Sequence, residues 1–169
     1  MSKILDIEME KAMRLLAEHM PVSDENSRKP ILAHDIRVGV YLYENNYSQE
    51  IILAGILHDA LEFCDLSQQQ LKDEFGEEVL NLVKSCTKKS EIEDANERID
   101  ELVLRCASSG KDALIIKAAD TLDSFKYYTK ENNKEELEYC QKNAEAIFKY
   151  LPGGVEDKVF EELKKWYKK

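Results

Sequence analysis

The run AGILHDALEF, residues 54–63, sets His58, Asp59 and Glu62 among residues that are otherwise apolar or glycine. A carboxylate left uncompensated in a core costs several kcal/mol or is neutralised, so such groups have a partner, either another side chain or a metal ion. Two more polar intrusions of this kind occur. His34, in KPILAHDIRVGVYL, falls on the stripe formed by Ile31, Val38, Tyr41 and Leu42. It follows Pro30 by four residues, and proline suits the first turn of a helix. Asp120, in DALIIKAADTLDSF, follows Leu114, Ile115, Ile116, Ala118 and Ala119. His34, His58, Asp59 and Asp120 together offer two imidazoles and two carboxylates. That N/O set suits Mn, Fe, Co, Ni or Zn, with water in the remaining positions. Each residue alone also has a bland reading. A lone histidine on an apolar face is commonly a satisfied core residue, and Asp120 has Lys117 three residues back as a helical ion-pair partner.

The elements that must carry these groups read as helices. Leu5, Met9, Ala12, Met13, Leu16 and Met20 step by three and four, as do Ile92, Ala95, Ile99, Leu102, Val103 and Cys106, and then Val155, Val159, Phe160, Leu163 and Trp166. Breaks are expected at Pro21–Pro30, Asn45–Ser48, Asp65–Ser67, Thr87–Ser90, Ser108–Gly110, Asn132–Asn133 and Pro152–Gly154. Ser67 with Gln70 is a capping-box signature for a short helix ending near Gly76. No alternating run reads as a strand. The expected fold is an all-α bundle of about eight or nine helices, forming a single domain over residues 1–169.

Composition narrows the function. The 169 residues carry a formal charge of −10, which argues against a general nucleic-acid binder. A local cluster of Lys and Arg still leaves room for a small anionic substrate. No apolar run approaches the roughly 18 residues of a membrane-spanning helix. Cys64, Cys86, Cys106 and Cys140 are widely spaced at apolar positions and read as reduced, packed thiols, in keeping with a cytoplasmic protein.

The order H…HD…D, with His34, His58–Asp59 and Asp120, resembles the HD-domain metal-dependent phosphohydrolases. Within them it is most similar to the hydrolase domain of RelA/SpoT-type (p)ppGpp enzymes. RKPILAH resembles their R-K-x-G-x-P-Y-x-x-H, AGILHDALE their A-A-L-L-H-D-x-x-E-D, FGEEVLNLVKSCTK their F-G-x-x-V-x-x-L-V-x-x-V-T-K, and IIKAADTLDSF their K-L-A-D-R-L-H-N-M. The likeness runs from about residue 28 to 126. AHDI contains a second H-D pair, in which the family pattern takes His34 as ligand and gives Asp35 no role. The family's Glu-Asp pair stands here as Glu62–Phe63, the Arg after the last aspartate as Thr121, and the following His-Asn as Asp123–Ser124. These departures touch the substrate side and leave the four metal positions intact. H-D-x-x-E is also the arrangement of HD-domain 5′-nucleotidases.

The resemblance implies hydrolysis of a phosphoester or pyrophosphate in a small nucleotide-like substrate, with one divalent ion bound by His34, His58, Asp59 and Asp120. Manganese heads the candidates, before Fe, Co, Ni, Zn or Mg. Glu62, four residues after His58 and expected on the same helix face, takes the role of general base. The segment at Arg28 and Lys29 is expected to hold the nucleotide. Lys88 is either a second phosphate contact or solvated loop charge, and Lys117 either pairs with Asp120 or reaches a phosphate. The alternative function is a catalytically degenerate relative that binds a metal or nucleotide as a sensor.

Overall fold

The computed structural model describes residues 2–168, and among these every regular element is helical. The helices are α1 (Lys3–His19), α2 (Ile31–Glu44), α3 (Gln49–Leu57), α4 (Ala60–Phe63), α5 (Gln68–Phe75), α6 (Glu77–Cys86), α7 (Ala95–Ser109), α8 (Lys111–Glu131), α9 (Lys134–Tyr150) and α10 (Lys158–Tyr167). The all-α expectation holds. α4 is a single turn of 4 residues, and each of the others has 8 or more. Two compact units share the chain, one ending at Thr87 and holding α1–α6, the other beginning at Lys88 and holding α7–α10.

Local chemistry sets most of the boundaries. The Ser67 hydroxyl accepts from the amide of Gln70 while the Gln70 side chain accepts from the amide of Ser67, so the anticipated capping box opens α5. Ser48, Asp94, Asn133 and Asp157 cap α3, α7, α9 and α10 in the same sense, each accepting from an amide of the first turn. Gly110, at φ 122°, closes α7 and starts α8 in a backbone conformation that disfavours a side chain. Two of the anticipated helices start later than their periodicity suggests. The Asp94 cap leaves Ile92 outside α7, where its carbonyl accepts from Arg98, and the Asp157 cap leaves Val155 outside α10.

α3 is the core of the first unit. Every residue from Ile51 to Leu57 is buried, and α1, α2 and α6 pack around it. α2 approaches it without side chains at two points. A Cβ on Gly39 of α2 would lie 2.1 Å from Cγ1 of Ile56, and a Cβ on Gly55 of α3 would lie 2.3 Å from Cδ1 of Leu42. That close crossing brings the start of α2 beside the end of α3.

α8 is the core of the second unit, with α7, α9 and α10 against it. All residues from Ala113 to Ala119 are buried, including Lys117. At one end Lys149 and Tyr150 of α9 both reach Asp100 of α7, at 2.7 and 2.6 Å. These two hydrogen bonds hold the Asp100 carboxyl below its usual range.

Candidate metal centre

The H-D doublet lies where α3 gives way to α4. α3 ends at Leu57, His58 and Asp59 keep helical backbone angles without continuing the ladder, and α4 begins at Ala60. The amides of Glu62 and Phe63 both return to the carbonyl of Asp59, so the chain tightens at this point. This corrects the expectation of one helix running from His58 to Glu62. The two are joined across a helix break, and a shared helical face no longer places Glu62, which is half-buried on α4.

The broken ladder frees the Gly55 carbonyl to accept from the His58 ring. Nδ1 of His58 lies 2.9 Å from that oxygen. In the neutral imidazole the proton then resides on Nδ1 and the lone pair on Nε2. Nε2 faces Asp59 Oδ2 at 3.7 Å. Two donors bound to one ion through bonds of roughly 2.0–2.2 Å stand about 3–4 Å apart, so the spacing fits two ligands better than a hydrogen bond.

His34 and Asp35 are the fourth and fifth residues of α2, which Pro30 precedes as anticipated. The His34 and His58 rings meet edge to face, with centroids 5.3 Å apart. His34 and Asp35 are fully enclosed, and His58 and Asp59 are 2% and 5% exposed. One donor atom from each of His34, Asp35, His58 and Asp59 lies within 4.8 Å of all the others. Two imidazoles and two carboxylates so gathered fit a borderline divalent ion.

Three of the four anticipated ligands are thus together, and Asp35 joins them. Sequence reasoning gave Asp35 no role. The second H-D pair in AHDI was the available signal, but helical periodicity separates neighbours by about 100° and offers no reason for both to face one point.

Asp120 belongs to α8 of the second unit, where its carboxylate receives Lys117 Nζ at 2.8 Å. Burial alone would lower the Lys117 pKa. The Asp120 carboxylate outweighs it, helped by Tyr139 and Cys106, and the ammonium is held charged. Of the two readings of Lys117, the pairing with Asp120 is the one observed. Lys88 follows the α6 cap at Thr87 and is half-buried, and its neighbour Lys89 pairs with Glu101 at 2.7 Å. Arg28 is exposed and Lys29 half-buried, both in the loop before α2. Cys64, closing α4, is half-buried, and its thiol is pushed up to about 11 by burial and then by the Asp35 and Asp59 carboxylates.

Comparison with known proteins identifies relatives of the chain. The guanosine-3′,5′-bis(diphosphate) 3′-pyrophosphohydrolase of Aquifex aeolicus is 28% identical over 147 residues, which cover 75% of this chain and 21% of that protein. The protein of the same name in Spiroplasma citri is 31% identical over 124 residues, covering 70% of this chain and 17% of its own. The chain therefore spans about a fifth or less of these relatives' length. A metazoan orthologue of SpoT, described as hydrolysing ppGpp, superposes with a TM-score of 0.72 at 20% identity, covering 99% of this chain and 96% of that one. The protein lmo0812 of Listeria monocytogenes gives 0.67 at 21% identity, covering 86% and 98%. These structures establish a shared fold. The family model for the HD domain matches residues 12–154, a span that runs through both units and contains every histidine and aspartate of the H…HD…D order. The chain belongs to the HD domain family.

Proposed function

We propose that the protein is a metal-dependent phosphohydrolase acting on a small nucleotide-like phosphate or pyrophosphate, with (p)ppGpp the first substrate to test. The buried cluster of His34, His58 and Asp59 carries the reading, because it gathers N and O donors of the type a divalent ion takes. The names of the A. aeolicus and S. citri relatives supply the substrate class. Manganese is the ion we favour.

A divalent ion at the cluster supplies Lewis acidity toward a phosphoryl oxygen and toward water. The protein's own groups do the rest. The Gly55 carbonyl fixes the tautomer and the plane of the His58 ring. Glu62 accepts a proton from the attacking water as the phosphorus–oxygen bond of the leaving group breaks. Arg28 and Lys29 hold the phosphates.

The test is release of phosphate and pyrophosphate from a panel of 5′-nucleotides and ppGpp with Mn²⁺ added, beside elemental analysis of the purified chain. Pyrophosphate from ppGpp would establish the alarmone reading and show that Glu62 suffices with phenylalanine after it. Turnover of monophosphates would make the protein a nucleotidase. Bound metal without turnover of any member would overturn the hydrolase reading in favour of a sensor.

A further inference from the structure

We infer that Asp35 is a ligand of the metal centre, so that the first unit by itself presents a four-donor site made of His34, Asp35, His58 and Asp59. The inference rests on the proposed function in taking the cluster as a metal centre, and it adds a residue to which the H…HD…D order assigns nothing.

Geometry is the first support. A donor atom of Asp35 lies within 4.8 Å of donor atoms of all three neighbours, and the side chain is fully enclosed. The second support is what Asp35 does not do for His58. Its Oδ1 stands 3.8 Å from His58 Nδ1, beyond hydrogen-bond reach, and that nitrogen already donates to Gly55 at 2.9 Å. Asp35 is therefore not the carboxylate that orients the ring, a task the backbone performs.

Charge is the third. Asp35 and Asp59 together carry two negative charges beside two imidazoles that are neutral when they ligate. A divalent ion is the complement of that set, and removing either carboxylate leaves the buried centre with an uncompensated positive charge once the ion is bound. Both carboxylates also bear on one neighbour, the Cys64 thiol, so their fields converge on the same small volume. The nitrogen donors favour manganese, iron or zinc over magnesium, which prefers oxygen ligands and retains its waters.

The experiment is a titration of the metal-free full chain with Mn²⁺, followed by the electron paramagnetic resonance signal of the free ion. Wild type, His58→Ala, Asp35→Asn and Asp35→Glu are compared, with thermal midpoints measured with and without Mn²⁺. Asp35→Asn should bind at least tenfold more weakly and gain less in midpoint from Mn²⁺, and Asp35→Glu should recover part of the affinity. Should Asp35→Asn not fold, Asp35→Ser, which leaves space for a water, carries the same comparison. Wild-type affinity in Asp35→Asn, with binding lost in His58→Ala, would overturn the role of Asp35 and leave the metal centre standing. A wild-type chain that binds no Mn²⁺, and no Fe²⁺ or Zn²⁺ by calorimetry, would overturn both.

Discussion

His58 donates from Nδ1 to the carbonyl oxygen of Gly55 at 2.9 Å, and this one contact decides which ring nitrogen faces Asp59. The contact exists because α3 stops at Leu57 and leaves the carbonyl one turn back within reach of the ring. His58→Ala and Asp59→Ala should each abolish retention of Mn²⁺ through desalting, measured by elemental analysis, while far-UV circular dichroism stays that of a helical protein. Metal retained in His58→Ala would remove His58 from the ligand set.

Glu62 sits on the four-residue α4, beyond the break. If it serves as general base, Glu62→Gln should keep wild-type Mn²⁺ affinity and lower kcat by about 10²–10⁴-fold, the usual contribution of proton transfer. KM should change little. A loss of metal affinity would make Glu62 a ligand, and an unchanged kcat would leave it without a part in the chemistry.

The crossing of α2 on α3 depends on two glycines. A methyl on Gly39 would meet Ile56 Cγ1, a branch atom on a stiff β-branched side chain, whereas a methyl on Gly55 would meet the mobile end of Leu42. Gly39→Ala should therefore cost about 1–3 kcal/mol in urea denaturation, and Gly55→Ala less. Because α2 carries His34 and Asp35 to the cluster, Gly39→Ala should also weaken Mn²⁺ binding. Equal stability of Gly39→Ala and wild type would show that the helices part without penalty.

How far the sequence foretold this site varied with the physics involved. The start at Ser67 and Gln70 was legible because capping chemistry is local, whereas the Asp94 and Asp157 caps were not read, and periodicity ran those two helices back to Ile92 and Val155. The break at His58–Asp59 was not, since no glycine or proline marks it and both residues keep right-handed helical angles, ψ −30° and −2°. The gathering of His34, His58 and Asp59 was legible from two polar intrusions into apolar runs. The addition of Asp35 depends on the depth of the α2–α3 crossing, a tertiary property that Gly39 and Gly55 permit without announcing. Thr87–Ser90 was legible as a break, but not as the division between two compact units.

The Cys64 thiol is held protonated to about pH 11 by burial and by the Asp35 and Asp59 carboxylates. An unfolded thiol ionises near about 8.5. Between those values the unfolded chain has released a proton that the folded chain keeps, so this group's contribution to stability is intact below about pH 8.5 and falls as pH rises toward 11. Iodoacetamide should accordingly modify Cys64 slowly at pH 8 in the metal-free chain, and Asp35→Asn should quicken it. Fast modification at pH 8 would mean that burial does not hold the thiol protonated, and an unchanged rate in Asp35→Asn would mean that this carboxylate does not bear on it.

Lys117 and Asp120 form an ion pair at 2.8 Å, with side chains 5% and 16% exposed. Breaking a buried pair from one side strands a charge, typically at about 3–5 kcal/mol, while replacing both partners with apolar groups is far less costly. In metal-free protein, Lys117→Met should therefore destabilise strongly, and the double variant Lys117→Met/Asp120→Leu should recover much of the loss. Urea denaturation of the two single variants and the double variant gives the coupling energy directly. Additive losses would show that the two charges do not depend on each other. Recovery would place the Asp120 carboxylate in the α8 core as the partner of Lys117, and a wild-type Mn²⁺ affinity in Asp120→Asn would leave it that part alone.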